Sequence, residues 1–135
     1  YQVAAANNGI VVGTGNKVED FGVGFYTKYG DGGVDISPIA DLVKSEVYAL
    51  GKEMGIIKEI MDAQPTDGLW HDGRTDKDQL GVSYDDLEWG MEYEQKENFD
   101  SEDSLSAFQL KVLNVYRKHR AANIHKMKKI PVFKK

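Results

Sequence analysis

The 135-residue sequence contains no cysteine and only three prolines. Disulfides and cysteine-ligated zinc or iron–sulfur sites are therefore excluded, because their ligands do not exist. No apolar run approaches the roughly 18 residues that a membrane-spanning helix needs. The first eight residues also lack the basic segment of a secretion signal. We therefore expect a cytoplasmic protein that associates with no membrane.

The length suits one ordinary domain with its own hydrophobic core. The chain starts with Tyr1 rather than Met, and apolar residues follow at once. Such a start is typical of a piece taken from inside an ordered region. We therefore expect residues 1–135 to form the carboxyl-terminal part of one longer domain.

Charge is distributed unevenly along the sequence. Residues 62–104 carry 14 acidic and 3 basic side chains, whereas residues 111–135 carry 9 basic and no acidic ones. The basic segment could bind an anionic ligand, an acidic partner or nucleic acid. Alternatively, the two segments face each other or solvent, where ion pairs contribute little to stability.

The pattern of apolar residues predicts an α/β protein. A helix is expected to end at residues 7–9, and the β-branched run 10–15 resembles a parallel strand that is covered on both faces. A glycine-rich loop should occupy 15–35. Apolar spacing then predicts four helices, over residues 37–54, 56–63, 84–93 and 102–119. Strand, loop and helices in this order indicate an α/β plan with a helical tail.

Local signals support two of these helix starts. Ser37 followed by Pro38 is typical of a helix beginning, and Ser83 is a good cap for the third helix. Between them, residues 64–82 are polar and rich in turn residues, so we expect a mobile loop. Several aspartates are interpreted as helix caps and surface charges rather than as a metal cluster: Asp76, Asp78, Asp85 and Asp86.

A Gly-x-Gly turn follows the predicted strand at residues 13–15. Such a turn brings backbone N–H groups close to a phosphate or nucleobase, and Thr14 would add a hydroxyl there. Glu19 or Asp20 offers the carboxylate oxygens that Mg²⁺ prefers beside substrate phosphates. An ordinary glycine turn is equally compatible with the pattern.

Residues 24–35 combine glycines with aromatic and charged side chains. The glycines disfavour regular structure, because each adds backbone freedom that folding must remove. Aromatic faces with fixed charges suit a flat, charged ligand such as a dinucleotide. Two other segments remain open to two interpretations: Thr66 lies in a solvent loop or a ligand lid, and His125–Lys126 in a plain basic tail or an anion site.

Six segments, in this order, resemble the NAD synthetase family of amide-forming ligases in the ATP-pyrophosphatase superfamily. They are residues 12–19, 24–35, 37–42, 65–70, 81–87 and 125–127. The most specific is Thr-Lys-Tyr-Gly-Asp-Gly-Gly-Val-Asp at 27–35. The resemblance implies a Rossmann-like parallel sheet of the adenine nucleotide alpha hydrolase type, with a helical tail.

The resemblance also implies a reaction and its residues. ATP adenylates the nicotinate carboxylate of deamido-NAD with release of pyrophosphate, and ammonia then attacks the activated carbonyl to give NAD and AMP. The family pattern, carried over to this sequence, implies that ATP is bound by Thr14, Lys44 and Thr66. It implies that deamido-NAD is bound by Lys28, Asp35, His125 and Lys126. Mg²⁺ would be bound by Glu19, with Asp20 as the alternative. A homodimer is implied as well.

The sequence departs from the family pattern in two ways. The segment between Glu19 and Lys28 is one residue longer than in many members, which is why Asp20 competes with Glu19 for the metal. The Ser-Gly-Gly-x-Asp-Ser pyrophosphate loop is absent from these residues, so we expect this piece alone to bind ATP poorly and to be inactive. The alternatives are another ligase of the superfamily, against which residues 28–35 argue, and a nucleic-acid-binding module that uses the basic segment.

Overall fold

A computed structural model describes residues 1–96 and 101–135 of the protein. These residues form six α-helices: α1 (Gln2–Ala6), α2 (Lys44–Glu53), α3 (Lys58–Met61), α4 (Asp76–Leu80), α5 (Tyr84–Gln95) and α6 (Ala107–Met127). A π-helix, Lys17–Val23, lies between α1 and α2, and a 3₁₀-helix, Glu102–Ser104, precedes α6.

The segment predicted as a strand forms no strand within the described residues, which give it one isolated bridge, between Val12 and Ile36. The bridge is parallel, as predicted. Gly13 N–H donates to the Ile36 carbonyl at 2.7 Å, and Asp35 N–H donates to the Val11 carbonyl at 2.9 Å. The side chain of Val12 is 53% exposed. The expectation of a strand covered on both faces is therefore wrong for the described residues, and the parallel sheet is not confirmed by them.

The π-helix occupies part of the predicted glycine-rich loop, which is a correction to the sequence analysis. The side chain of Asn16 caps its first turn, because its Oδ1 accepts from the N–H groups of Val18 and Glu19 at 3.1 and 3.0 Å. Val18 and Val23 are fully buried. Capping and burial together stabilise a helical conformation at this position, and a π-helix has a wider turn than an α-helix.

Helix α2 begins at Lys44 after a cap at Val43, whereas the predicted cap is Ser37, so the predicted start is wrong by six residues. The carbonyl of Leu42 accepts from the N–H of Lys17, at 2.8 Å, rather than from an N–H of the following turn as it would inside a helix. The Glu46 carboxylate accepts from Val43 N–H at 2.9 Å and caps the shorter helix. Because of this pairing with the π-helix, the side chain of Lys44 lies in the first turn of α2.

The later helices agree with the sequence in part. The Ser83 cap of α5 is confirmed, with Ser83 Oγ accepting from Asp86 N–H at 3.2 Å. The predicted loop over 64–82 contains α4, which the sequence analysis missed. The last helix begins at Ala107 after a Ser106 cap and extends to Met127, so His125 and Lys126 lie in a helical turn.

The core packs the π-helix against α4, α5 and α6. Its buried members are Val18, Val23, Leu80, Val82, Tyr84, Leu87, Met91, Val112 and Tyr116. Arg117 on α6 pairs with Glu94 and Glu102, both at 2.7 Å, so part of the basic segment does face the acidic one. No helix in residues 1–96 and 101–135 is long and apolar enough to cross a membrane.

Candidate functional site

Glu19 is the centre of a hydrogen-bonded cluster of side chains. Its Oε2 accepts from Asn16 Nδ2 at 2.6 Å and from Lys44 Nζ at 3.1 Å, and its Oε1 lies 3.1 Å from the Tyr84 hydroxyl. The same hydroxyl lies 2.8 Å from Asp76 Oδ2. We call these five residues, Asn16, Glu19, Lys44, Asp76 and Tyr84, the Glu19 cluster.

The Glu19 cluster is largely removed from solvent. The side chains of Lys44 and Glu19 are 19% and 21% exposed, and Asp76 is 4% exposed. The Lys44 ammonium also lies 4.5 Å from the centroid of the Tyr84 ring, within cation–π distance. Burial and the neighbouring Glu19 raise the pKa of Tyr84, so its hydroxyl keeps its proton and can donate.

Asp20 lies between the Glu19 cluster and the carboxyl-terminal end of α6. Burial, with smaller contributions from the charges of Glu19 and Asp31, raises the pKa of the Asp20 carboxyl to about 7, and the cations of Lys44 and Lys126 lower it only in part. Its carboxylate packs directly on Gly15, so a side chain at position 15 would have to displace it. A carboxyl with such a raised pKa near several charges is typical of a functional site.

The carboxylates here fit a magnesium ion that is shared with phosphates. Mg²⁺ is commonly held by one or two carboxylates together with water and substrate phosphates. Among the described residues, Tyr84 is the one hydrogen-bond donor to Glu19 Oε1, and the carboxyl of Asp20 is adjacent in sequence. No group of three or more acidic, histidine or cysteine side chains in the described residues could enclose a metal by itself. The donor set therefore fits a metal that needs substrate oxygens to complete its coordination.

The end of α6 holds the glycine-rich segment through side chains that donate to backbone carbonyls. Arg120 donates to the carbonyls of Phe21 and Gly22 at 2.7 and 3.0 Å. Asn123 donates to Val23 at 3.0 Å, and Lys126 to Gly24 and Tyr26 at 2.9 and 2.7 Å. We call Arg120, Asn123 and Lys126 the α6 clamp. Gly24 has φ 68°, and a side chain there would lie 2.5 Å from Asn123 Cβ, so this close approach requires glycine.

The four residues predicted to bind deamido-NAD lie around this segment. Lys28 Nζ donates to the His125 carbonyl at 2.9 Å, and Lys126 contacts the backbone at 24 and 26 as described. The side chain of His125 is exposed, with Nδ1 3.2 Å from the Ala122 carbonyl. Asp35 accepts from Val11 N–H at 2.8 Å and from the Tyr1 hydroxyl at 3.1 Å. The structure thus brings Lys28, His125 and Lys126 together and places Asp35 at the parallel bridge.

The two threonines predicted to bind ATP are both exposed. Thr14 lies between Gly13 and Gly15, beside the parallel bridge. Thr66 Oγ1 accepts from Gly68 N–H at 3.1 Å and lies 3.2 Å from the Arg74 carbonyl. The carbonyl of the neighbouring Pro65 accepts from Asp76 N–H at 2.9 Å, which ties the Thr66 loop to the Glu19 cluster.

Two cavities flank the glycine-rich segment. One has a volume of about 150 Å³ and is lined by residues that include Gly15, Asp20, Asp31, Ser37 and Lys126. The other, of about 310 Å³, is lined by residues that include Gly24, Tyr26, Asp67, Leu69 and Lys126. Lys126 lines both, so a ligand in either cavity would contact the same side chain.

Sequence reasoning missed three members of the Glu19 cluster, namely Asn16, Tyr84 and Asp76. The interpretation of Asp76 as a cap or surface charge is wrong, because it is buried and bonded to Tyr84. Asp78 and Asp86 do cap their helices, as predicted. The four aspartates look alike in the sequence, and only the tertiary packing of α4 against α5 distinguishes Asp76 from the rest.

Comparison with known proteins gives the family. Residues 1–130 match the family described as NAD synthase. The chain belongs to this family. It is 41% identical over 129 residues to the NH(3)-dependent NAD(+) synthetase of Methanosarcina acetivorans, which covers 93% of this chain and 48% of that protein. The corresponding protein of Sulfolobus acidocaldarius is 36% identical over 132 residues, covering 97% and 46%.

Two solved structures share the fold. The structure of NMN synthetase from Francisella tularensis has a TM-score of 0.81 and 35% identity, and the match covers 98% of this chain and 50% of that one. The NH3-dependent NAD synthetase of Campylobacter jejuni has a TM-score of 0.71 at 22% identity and covers 99% and 49%. The chain therefore spans about half the length of the proteins it matches. The family membership confirms the resemblance on which the sequence analysis relied.

Proposed function

We propose that the complete protein catalyses the ATP-dependent amidation of deamido-NAD to NAD with ammonia as the nitrogen donor. The observation that carries the proposal is that Asp20 and Lys126 line one cavity beside the glycine-rich segment, with the Glu19–Lys44 pair next to Asp20 and Lys28 next to Lys126. This arrangement offers a carboxylate site for a cation next to ammonium groups for phosphates. Membership of the NAD synthase family supports it.

In this proposal the side chains of the Glu19 cluster receive ATP. A carboxylate resists attack by ammonia until one of its oxygens becomes part of a good leaving group, so the reaction needs an adenylated intermediate. The Lys44 ammonium would offset charge on the phosphates, and Thr14 and Thr66 would donate hydroxyl hydrogen bonds to the nucleotide. Lys44 already has its position fixed by Glu19 at 3.1 Å, so little reorganisation is required.

Mg²⁺ would supply further neutralisation of the phosphate charge and polarise the phosphoryl oxygens. Glu19, through Oε1, is the residue we propose to hold it, with Asp20 as the alternative. Glu19 is the better candidate because its carboxylate is held by the Lys44 ammonium at 3.1 Å with Oε1 turned away from that pair, whereas burial favours the protonated form of Asp20.

The glycine-rich segment and the end of α6 would bind the pyridine nucleotide. Lys28 and Lys126 now donate to backbone carbonyls, and both could exchange these neutral acceptors for a charged phosphate or carboxylate, which binds an ammonium more strongly. His125 is exposed beside them, and Asp35 would contact the ligand from the parallel bridge.

A second candidate substrate is the mononucleotide counterpart, nicotinate mononucleotide. The NMN synthetase of Francisella tularensis is the more similar of the two solved structures described above, both in identity and in TM-score. The amide-forming chemistry is the same for both substrates, because the reacting nicotinate carboxylate is the same. The two candidates differ only in whether an adenylate group must be accommodated.

The test uses the complete protein with ATP, Mg²⁺ and ammonium, and compares deamido-NAD with nicotinate mononucleotide. Amide product and AMP are quantified by chromatography for each. We expect kcat/KM for deamido-NAD to exceed that for the mononucleotide. The reverse order would support the second candidate, and no AMP with either substrate would contradict the proposed reaction.

The proposal extends to the whole assembly. The parallel bridge at Val12 supports a larger parallel sheet, to which the remaining half of the domain, with its pyrophosphate loop, would add strands. Exposed apolar side chains on and around α2 and α3 support a homodimer: Leu50, Met54, Ile56, Ile57 and Ile60. Both features, and a cytoplasmic location, are part of what we propose for the complete protein.

A further inference from the structure

The hydroxyl of Tyr84 lies between two carboxylates, and its ring lies beneath an ammonium group. The oxygen is 3.1 Å from Glu19 Oε1 and 2.8 Å from Asp76 Oδ2, and Lys44 Nζ is 4.5 Å from the ring centroid. One buried side chain therefore contacts both groups to which the proposed function assigns Mg²⁺ and ATP. Tyr84 itself reaches neither cavity described above.

The single hydroxyl proton of Tyr84 determines which of the two carboxylates it can hydrogen-bond. A tyrosine hydroxyl has one proton to donate, so between two carboxylates it donates to one at a time. Asp76 is 4% exposed, and its Oδ1 has no hydrogen-bond partner among the described residues. Asp76 therefore depends on the Tyr84 hydroxyl, because an unpaired buried carboxylate is costly.

The two carboxylate oxygens of Glu19 have different hydrogen-bond donors. Oε2 accepts from both Asn16 and Lys44, whereas Oε1 has the shared Tyr84 proton. A cation that binds Oε1 would turn this proton toward Asp76, which is an acceptor already in place. Binding would then still leave the Tyr84 hydroxyl with an acceptor, Asp76 Oδ2.

We propose that Tyr84 is a positioning residue for Glu19 and Lys44, anchored by Asp76. The inference rests on the proposed function, in which Glu19 binds Mg²⁺ and Lys44 binds ATP. Tyr84 would fix the rotamer of Glu19 through its hydroxyl and that of Lys44 through its ring. Residues that orient a metal ligand in this way commonly change metal affinity by about 10- to 100-fold when they are removed.

The test is the substitution Tyr84→Phe in the complete protein, because it removes the hydroxyl and keeps the ring. Thermal unfolding is followed while Mg²⁺ is titrated at a fixed concentration of a non-hydrolysable ATP analogue. We expect the Mg²⁺ concentration at half-maximal stabilisation to rise about 10-fold. In steady-state kinetics, the Mg²⁺ requirement should rise similarly, while KM for the pyridine nucleotide stays unchanged.

The matched control is Tyr116→Phe, which removes a hydroxyl from another buried tyrosine of the same core, on α6. Tyr116 is 2% exposed and is bonded to Arg120 rather than to Glu19. We expect this control to lower Tm without moving the Mg²⁺ midpoint. A purely structural role for Tyr84 would make the two variants behave alike.

Each outcome decides the inference. A higher Mg²⁺ midpoint for Tyr84→Phe alone supports the inference. Equal Mg²⁺ midpoints for wild type, Tyr84→Phe and Tyr116→Phe overturn it, while the proposed function stands. A wild-type protein without any Mg²⁺-dependent shift overturns the proposed function and this inference with it. If Tyr84→Phe does not fold, Asp76→Asn replaces it, because it keeps an uncharged acceptor for Tyr84. A smaller rise is then expected, and an unchanged midpoint overturns the inference.

Discussion

The Glu19 cluster and the α6 clamp hold the two halves of the candidate site by different means. In the Glu19 cluster, side chains bond to side chains from the π-helix, α2, α4 and α5. In the α6 clamp, side chains from one helix bond to backbone carbonyls of one neighbouring segment. The first arrangement is a network of charged and buried partners, and the second is a set of separate bonds to neutral acceptors.

This difference has a functional consequence. A buried network that includes an ion pair, as the Glu19 cluster does, fixes its geometry before a ligand arrives, which is the arrangement that catalysis favours. Bonds from ammonium groups to neutral carbonyls are weaker than bonds to phosphates, so a ligand can replace them. We therefore expect the Glu19 cluster to stay in place on binding, and the Lys28 and Lys126 ammonium groups to change partners.

The largest expected effect comes from breaking the Glu19 cluster with Lys44→Ala. The substitution removes both the proposed phosphate contact and the cation that pairs with Glu19 at 3.1 Å. We expect kcat to fall about 100- to 1,000-fold in the complete enzyme, which is the usual effect of removing one fixed electrostatic group.

The measurement is steady-state kinetics at saturating Mg²⁺, with Lys52→Ala as the control. Lys52 lies in the last turn of the same helix and is exposed, so its loss should leave kcat within twofold of wild type, as is usual for a surface group. Equal rates for the two variants would remove Lys44 from the proposed site.

The next effect, on stability, comes from breaking the α6 clamp with Gly24→Ala. Gly24 has φ 68°, and the added Cβ would lie 2.5 Å from Asn123 Cβ and 3.0 Å from Met127 Cε. We expect the free energy of unfolding to fall by about 3 kcal/mol, as the sum of backbone strain and overpacking. Urea unfolding of the complete protein measures it.

Gly55→Ala is the matched control for this prediction. Gly55 has nearly the same φ, 71°, but nothing lies within 4 Å of an added Cβ. We expect it to cost only the strain, about 1 kcal/mol. If both glycine variants lost the same stability, close packing of α6 on the glycine-rich segment would not be what holds the clamp.

The Glu19 cluster and the α6 clamp also differ in how far the sequence predicts them. Glu19 and Lys126 lie in short, continuous segments that resemble the family, 12–19 and 125–127, and Lys44 follows the segment 37–42 by two positions. Roles for these residues can therefore be predicted from the sequence alone. Tyr84 enters through a contact with Glu19, 65 positions away, and no local spacing reports such a contact. The bond from Asn16 to Glu19 spans only three positions, but it depends on the π-helix, which the sequence analysis did not predict. The same limit applies to Asp76, whose role depends on how α4 packs.

The helices show a similar limit. The Ser83 cap and α5 follow from local sequence alone, because Ser83 and Asp86 form a capping box within four residues. The start of α2 does not, because the Leu42 carbonyl is taken by Lys17 N–H from the π-helix. The π-helix itself depends on burial of Val18 and Val23, which a glycine-rich segment gives little reason to expect.

We expect a smaller effect from Lys28→Ala, which removes the ammonium group that lies next to the α6 clamp. The fold should tolerate the change, because the described residues give the Lys28 ammonium one hydrogen bond, to the His125 carbonyl, and one cation–π contact, with Tyr29. We expect KM for the pyridine nucleotide to rise about 10-fold with little change in kcat, as for the loss of one charge-assisted hydrogen bond. Lys128→Ala, beyond the end of α6, is the exposed control, and equal KM values for both variants would contradict a ligand role for Lys28.

The smallest effect concerns Asp20, which lies between the two regions. Its pKa is raised to about 7 in the folded protein, mainly by burial, from a usual value of 3.8. The folded state therefore binds more protons than the unfolded state between these values, and stability falls as pH rises from about 4 to about 7. Above pH 7 the carboxyl is ionised in both states, and its contribution no longer changes with pH.

Asp20→Asn should remove this pH dependence. We expect the variant to match wild type near pH 4 and to exceed its free energy of unfolding by about 1 kcal/mol above pH 7, after allowance for solvent screening. Urea unfolding in magnesium-free buffer measures the difference at each pH, with Asp62→Asn, an exposed acid paired with Lys58, as the control. If wild type and Asp20→Asn had parallel pH profiles, Asp20 would lie in a better solvated position than its packing on Gly15 indicates.

A second measurement, with Mg²⁺ and the ATP analogue added, distinguishes Asp20 from Glu19 as the metal ligand. A cation that binds Asp20 would stabilise wild type and not the variant. A cation held by Glu19 would stabilise both proteins.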